Sequence, residues 1–187
     1  MKLVHVYQTI ALQKQEQNDF PKALEYFQNC LEASKRAEDR GQEAECYQKI
    51  GHIYEKQGDL SRAIEFLKEF LNISEETEQP NKIAEAHKQL AEVFSKSGNV
   101  HFAIQHLESL LNIANEEKDK RAQADAFLKL GLLYYQEKIV KKSVECLQKH
   151  FLLARDDSGE NEQTKSQKLI DKARVNIGIA EANTKIE

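Results

Sequence analysis

The chain has 187 residues, of which 31% are charged and 7% are aromatic, and it contains seven glycines, two prolines and no tryptophan. Good helix formers such as Ala, Leu, Glu, Lys and Gln are common, whereas the β-branched runs and turn residues of a strand-based fold are scarce, so an all-α fold is predicted. The formal charge of −4 comes from 31 acidic and 27 basic residues without a basic stripe. That pattern argues against a nucleic-acid partner.

The sequence shows no sign of a membrane-spanning segment, a signal peptide or a cysteine framework. No apolar run approaches the roughly 20 residues that span a bilayer, and the first residues lack the apolar centre of a signal peptide. Cys30, Cys46 and Cys146 are too widely spaced to indicate a disulfide framework or a zinc site, and are predicted to be small buried side chains. These features predict a soluble cytoplasmic protein that does not bind membranes.

A 40-residue repeat runs through residues 1–154. One column holds small residues at Ala11, Gly51, Ala91 and Gly131. Four residues earlier stand aromatic residues or histidine, at Tyr7, Tyr47, His87 and Phe127. A later column is apolar at Phe27, Leu67, Leu107 and Leu147. Self-similarity at a fixed period is the mark of a repeat architecture.

Each repeat is predicted to form two helices. Apolar residues follow helical spacing from Tyr47 to Tyr54 and again from Ala63 to Leu71. The two helices are separated by short breaks at Asn18-Asp19, Gly58-Asp59, Gly98-Asn99 and Lys138-Ile139. Glycine adopts the left-handed conformation at a helix end, and Asp or Asn caps the next helix. The small residue at position 51 and its equivalents is expected to let two helices cross closely.

These columns resemble the tetratricopeptide signature: an aromatic residue, Leu-Gly and Tyr on the first helix, then Gly-Asp/Asn and Ala on the second. The resemblance covers residues 1–154 and implies a right-handed superhelical solenoid of antiparallel helix pairs. The predicted pairs are 1–40, 41–80, 81–120 and 121–155. The period of 40 exceeds the usual 34, which predicts longer helices, and the usual closing proline is missing except at Pro80.

The chain departs from the repeat at both ends. Residues 156–163 are predicted to be an acidic loop, and residues 164–187 a helix that caps the fourth pair. Residues 172–180 resemble the tetratricopeptide repeat protein 29 family of ciliary proteins, which implies a role in dynein-related ciliary or axonemal assemblies. Tyr7 and Ile10 are predicted to pack inside the first pair, whereas the outer side of the first helix has no predicted cover. It belongs either to a longer array or to a docking surface.

No pattern indicates catalysis. His101 and His106 are five residues apart and do not share a helix face as a metal pair would, and no histidine stands beside a nucleophile. The glycines are single and periodic, unlike a phosphate-binding loop. The chain is therefore predicted not to be an enzyme and to carry no catalytic residue, metal site or cofactor.

The family resemblance implies that the first helices line a concave groove for a peptide or helix of another protein. Carried over by register, the predicted groove residues are Gln48, His52, Lys88, Glu92, Leu128, Leu132 and Tyr135. Family members that grip the carboxylate tails of chaperones use basic and amide residues at the positions that are here Gln8, Leu12, His52, Lys88 and Glu92. Because only Lys88 matches, binding of a chaperone tail is not expected.

Charges and apolar residues on this face have competing explanations. Acid–base pairs at i,i+4 explain much of the charge without a ligand: Glu45–Lys49, Glu92–Lys96 and Asp125–Lys129. Leu128, Leu132 and Tyr135 stand at i, i+4 and i+7, where they form either an apolar anchor for a partner or a seat for the C-terminal helix.

A protein-binding scaffold is the leading functional prediction. One alternative is a structural component that packs through its convex faces, where the second helices carry Phe20, Tyr26, Phe66 and Phe102. Another is a piece of a longer array related to the polarity adaptors with leucine- and asparagine-rich repeats. Those proteins have Asn at the positions that are here His52, Glu92 and Leu132, which counts against them.

Overall fold

The computed structural model describes residues 2–157 together with residues 167, 168, 171 and 175. Over residues 2–157 it contains α-helices joined by tight turns and no strand. The helices are α1 (Lys2–Glu16), α2 (Phe20–Arg36), α3 (Arg40–Lys56), α4 (Leu60–Glu76), α5 (Pro80–Lys96), α6 (Val100–Glu116), α7 (Lys120–Gln136) and α8 (Val140–Asp157). From α2 onwards each helix begins 20 residues after the one before. The all-α prediction is confirmed, as is the period.

The chain divides into two compact units. The first, Met1–Asn99, holds α1 to α5, in which each helix packs on the next. The second begins at Val100 and holds α6 to α8, in which α7 packs on both α6 and α8. Because three-residue linkers reverse the chain direction, consecutive helices within each unit are antiparallel. The predicted pairs of α1 with α2, α3 with α4 and α7 with α8 are therefore present.

The three-residue linkers between consecutive helices all adopt the same type of turn. After α3, Gly58 has φ of 81°, its N–H donates to Glu55 O at 3.0 Å, and Asp59 N–H donates to Tyr54 O at 2.9 Å. These bonds satisfy the last carbonyls of the helix. The side chain of Asp59 then accepts from Arg62 N–H at 3.1 Å and caps α4. The same positive φ occurs in the middle of every linker, at Asn18, Glu38, Gly58, Glu78, Gly98, Lys118 and Lys138.

A close helix crossing explains the small-residue column. Gly51 is buried on α3, and a Cβ added to it would lie 2.9 Å from Leu67 Cγ on α4. In the second unit, a Cβ on Gly131 would lie 2.8 Å from Leu147 Cγ on α8. At both positions the second helix approaches too closely for a larger residue to fit without a shift, as the sequence predicts.

Helix α1 is covered on only one side. Ala11 is fully buried and Val4 is buried against α2, whereas Leu3 and Val6 are exposed. Val6 is 49% exposed, but Cys46 and Ala86, which follow it at steps of 40 residues, are 1% and 0% exposed. Those two residues lie on α3 and α5, helices that pack on the preceding second helices α2 and α4. The exposed side of α1 is therefore the repeat surface that a second helix covers elsewhere in the unit.

The C-terminal predictions fall mainly outside the described residues. Helix α8 extends to Asp157 and thus includes the first two residues of the predicted acidic loop. The rest of that loop, and the capping helix predicted for 164–187, lie outside the described residues except for helical residues at 167, 168, 171 and 175. No helix within residues 2–157 combines the length and the apolar character that a bilayer crossing requires.

Candidate functional site

The candidate site in the first unit is the face formed by the first helices α1, α3 and α5. Two side-chain contacts link these helices sideways. Gln8 Nε2 on α1 donates to Glu45 Oε2 on α3 at 3.1 Å. Lys96 Nζ on α5 lies 2.5 Å from Glu55 Oε1 on α3. The predicted groove residues of this unit are all half-buried: Gln48, His52, Lys88 and Glu92.

Glu55 is the central charge of this face. Its side chain is only 10% exposed, and its two oxygens have different partners. Oε1 pairs with Lys96, and Oε2 lies 3.2 Å from His52 Nδ1. A buried carboxylate requires such partners because water no longer stabilises its charge. The arrangement fixes the orientation of the His52 ring, whose side chain remains 41% exposed.

Lys88 and Gln48 differ from His52 and Glu55 in having no side-chain partner. Neither takes part in any hydrogen bond or ion pair within the described part of the chain. Both are half-buried and occupy the same repeat column on neighbouring first helices. The buried oxygen Oε1 of Gln15, on α1, also accepts no hydrogen bond from the described residues. Lys88 and Gln48 therefore have polar groups available to a ligand, whereas the Gln15 oxygen is buried and out of reach.

The charge pairs differ from those expected from helical spacing. Asp125 and Lys129 form the predicted pair, at 3.4 Å. Lys96 instead pairs with Glu55 on the neighbouring helix, and Glu45 accepts from Gln8 and Gln42. The Glu55 side chain is only 10% exposed, so its charge gains from the partner that Lys96 supplies across the helices. Local spacing cannot reveal contacts between helices that are 40 residues apart.

In the second unit, the three residues predicted as an apolar anchor have different surroundings. Leu128 and Tyr135 are half-buried and pack against Val144 and Leu147 of α8. Leu132, between them on α7, is 39% exposed. The structure therefore leaves Leu132 as the most accessible of the three. The alternative cover, the C-terminal helix, lies outside the described residues.

The aromatic residues predicted for the convex faces are largely occupied in the first unit. Tyr26 on α2 packs against Tyr7 on α1, with ring centroids 6.5 Å apart. Phe66 on α4 packs against Tyr47 and Tyr54 on α3 at 6.0 and 5.4 Å. They cover the first helices of their own repeats. In the second unit, Phe102 on α6 is 50% exposed.

Potential metal ligands and a buried histidine are the titratable groups of interest in the described residues. Within residues 2–157 no group of three or more His, Cys, Asp or Glu side chains is placed to hold a metal ion. His87 lies in the aromatic column of α5, where burial lowers the pKa of its imidazole. Burial thus favours the neutral imidazole, which suits a position in the packing column.

One side-chain pair was not expected from the sequence. Cys30 on α2 and Cys46 on α3 lie with their sulfurs 3.1 Å apart in the first unit. The sequence contained the signal, because the same two columns one repeat later hold Phe70 and Ala86, both buried. The two columns are therefore buried in both repeats.

Comparisons with known proteins agree with this geometry. Two family models, both described as tetratricopeptide repeat, match residues 4–76 and 86–121, which together make up more than half of the chain. No curated protein matches the sequence at a significant level.

Several solved structures share the fold. BtubC (BKLC) from P. vanneervenii has a TM-score of 0.80 and 20% identity, over 94% of this chain and 73% of that one. A P. anserina protein assigned as a kinesin light chain, with nearly identical TPR-like repeats, has a TM-score of 0.77 and 15% identity, over 97% and 90%. The apo form of RapI has a TM-score of 0.86 and 15% identity, over 96% of this chain and 50% of RapI.

At these identities the similarity extends to the fold alone, while the two family matches rest on the sequence itself. Tetratricopeptide-repeat proteins generally serve as scaffolds for protein–protein interactions, and they are typically not catalysts. With its 40-residue register, paired helices and matching repeat models, this chain belongs to the tetratricopeptide-repeat family.

Proposed function

We propose that this protein is a non-catalytic scaffold that binds a segment of another protein on the first-helix faces of its repeats. In the first unit, an acidic side chain of the partner pairs with Lys88. The observation that carries the proposal is that Lys88 is half-buried and has no anionic partner within the described residues. A cation that has lost part of its hydration gains from a carboxylate that approaches it.

The surroundings of Lys88 suit a peptide. Gln48, in the same column on α3, has both a donor and an acceptor free for the backbone of an extended segment. His52 and Glu55 are already held in one geometry, so they lose little freedom when a ligand binds. The family precedent supports a protein ligand, because its members generally bind other proteins.

The test is affinity capture followed by binding measurements on the captured partner. Lys88→Glu reverses the charge at the site, and Lys68→Glu makes the same change at an exposed position on the second helix α4. We expect Lys88→Glu to weaken binding about tenfold or more and Lys68→Glu to leave it within about twofold. Equal effects of the two variants, with both proteins folded by circular dichroism, would contradict the role of Lys88.

In the second unit, we propose that Leu132 contacts a partner. The variant to use is Leu132→Asp alone, because Leu128 packs on α8 and its replacement would damage the fold. Leu152→Asp is the matched control, since Leu152 is an exposed leucine on the second helix α8. Loss of a captured partner in Leu132→Asp but not in Leu152→Asp would support a first-helix anchor.

The reverse pattern would favour the second candidate function, a structural component that packs through its second helices. Exposed apolar side chains at Phe102 and Leu152 in the second unit support that candidate. Retention of partners by Leu132→Asp together with their loss in Phe102→Asp and Leu152→Asp would establish it.

The cellular setting remains a prediction from the sequence. The ciliary resemblance rests on residues 172–180, of which the structure describes only Val175. The same capture, carried out from an extract of ciliated cells, tests it. Dynein or axonemal components that are lost in Lys88→Glu or Leu132→Asp would support a ciliary scaffold, and partners of another class would replace that assignment.

A further inference from the structure

The contact between α2 and α3 contains two cysteines that touch. Cys30 Sγ and Cys46 Sγ are 3.1 Å apart, and the two residues are 0% and 1% exposed. They form a buried cluster with Val4 of α1, against which Tyr7 and Leu31 also pack. The Cys30 thiol can also donate to Val4 O, at 3.6 Å.

The pair arises from the repeat itself. One repeat later, the same columns are occupied by Phe70 on α4 and Ala86 on α5, a large and a small residue that are both buried. In the first repeat, two cysteines, Cys30 and Cys46, occupy these columns in place of a large and a small residue. The packing between second and first helices therefore brings two thiols together although 16 positions separate them in the sequence.

We propose that Cys30 and Cys46 form a reversible dithiol–disulfide site that links α2 to α3, with hydroperoxides or small-molecule disulfides as its oxidants. With hydrogen peroxide, the Cys30 thiolate attacks one oxygen, the O–O bond breaks, and the other oxygen leaves as hydroxide and becomes water after protonation. The Cys46 thiol then attacks the resulting sulfenic acid, so that an S–S bond forms and a second water leaves. In total, two thiols lose two electrons and two protons, and one peroxide becomes two waters.

The local environment assigns the two sulfurs different roles. The hydrogen bond from Cys46 lowers the pKa of the Cys30 thiol, which favours Cys30 as the attacking thiolate. The pKa of Cys46 is raised by its contact with Cys30 and by burial, so Cys46 keeps its proton and acts second. The half-buried thiol of Cys146, in the second unit, has its pKa raised by burial and has no cysteine beside it.

Access to the pair is controlled by α1. Val4 and Tyr7 of this helix pack on the cysteines, and α1 packs extensively on α2 on the side that holds them. Local detachment of α1 would therefore expose the thiols while α2 to α5 stay packed. The disulfide would join the first repeat to α3, the helix that carries Gln48 and His52 of the candidate site.

The test uses the whole chain treated with hydrogen peroxide and then with a thiol-alkylating reagent under denaturing conditions. We expect the free thiols to fall from three to one, with a mass loss of two hydrogen atoms and one cross-linked peptide that joins Cys30 to Cys46. Dithiothreitol should restore all three thiols. Oxidation should also raise Tm, by roughly 5–10 °C. The disulfide closes the loop between Cys30 and Cys46, and closing a loop of this length lowers the entropy of the unfolded chain.

Two variants keep the proposal open to refutation. Cys146→Ser leaves the pair intact and should form the same cross-link, whereas Val4→Ala thins the cover and should raise the oxidation rate severalfold. Three free thiols after peroxide treatment that oxidises free glutathione completely would overturn the proposal. So would over-oxidation of Cys30 or Cys46 to sulfinic acid without a cross-link, or a dominant disulfide that involves Cys146.

Discussion

Glu55 on α3 and Lys96 in the last turn of α5 form an ion pair with 2.5 Å between Oε1 and Nζ, although the chain places them 41 residues apart. Helical spacing pairs Lys96 with Glu92 instead. The observed pair links two first helices of the candidate face. Its interaction energy therefore contributes to fixing the position of α5 relative to α3.

A double-mutant cycle measures this pair. Because the Lys96 side chain is 59% exposed, water screens the charges, and Glu55→Gln with Lys96→Met should show a coupling of only about 0.5 kcal/mol. The coupling should shrink in about 1 M salt. The corresponding cycle for Glu92 and Lys96 should give a coupling near zero. A larger value for Glu92 would show that the local pair prevails in solution.

Glycine substitutions should have opposite signs at two positions of α3. A Cβ at Gly41 meets only Asp39 Oδ1 at 3.5 Å, an ordinary contact, so Gly41→Ala should stabilise the fold by up to about 1 kcal/mol. At Gly51 the Cβ would meet Leu67 at 2.9 Å, and Gly51→Ala should destabilise it by about 1 kcal/mol after the gain in helix propensity is subtracted. Urea denaturation measures both. A stabilising Gly51→Ala would mean that Leu67 can move aside without cost.

Helix α5 lacks a side-chain N-cap, and a substitution at the N-cap position can supply one. Its N-cap residue, Gln79, makes no side-chain capping bond, whereas Asp39 caps α3 by accepting from Gln42 N–H at 3.1 Å. Gln79→Asp should therefore raise the free energy of unfolding by about 1 kcal/mol. Asp39→Ala is the converse control and should lower it by a similar amount. If Gln79→Asp has no effect, the loss of the bond from Gln79 Nε2 to Thr77 Oγ1 offsets the new cap.

The sequence predicts the fold well because the same spacing of small, apolar and turn residues recurs in each repeat. The column of Gly51 and the break at Gly58-Asp59 each mark a feature that the structure contains. The turns between repeats escaped prediction because Glu38 and Lys118, rather than glycine, adopt the positive φ there. The energy that a non-glycine residue loses in this conformation, about 1 kcal/mol, is offset by the hydrogen bonds of the turn.

The candidate site was less predictable. Lys88 and Gln48, which the register predicts for the groove, are both half-buried, because burial follows the helical period. The partners of Glu55 and the meeting of Cys30 with Cys46 depend on the spacing between helices, which local periodicity does not encode. Register between repeats encodes part of it, since the columns of Cys30 and Cys46 are also buried one repeat later, at Phe70 and Ala86.

Burial of His87 predicts a dependence of stability on pH. Its folded-state pKa lies below the ordinary 6.5, so in the window between the two values the unfolded chain binds more protons than the folded one. The stability that neutral His87 permits is therefore present above pH 6.5 and is lost as the pH falls through that window. His87→Phe, the residue that this column has at Phe127, should remove this loss. Denaturation curves at about pH 5 and about pH 8 measure it, and an unchanged pH slope would contradict it.

The two sides of the repeat surface can be compared at equivalent positions of the first unit. Ala86 is fully buried on α5, so Ala86→Glu would bury an unpaired charge and should lower the free energy of unfolding by more than about 3 kcal/mol. Val6 occupies the same column on α1 but is 49% exposed, and Val6→Glu should cost less than about 1 kcal/mol. Urea denaturation at several protein concentrations measures both. If Val6→Glu costs as much as Ala86→Glu, the outer side of α1 must be covered in solution, and a stability that rises with protein concentration would identify a second copy of the chain as the cover.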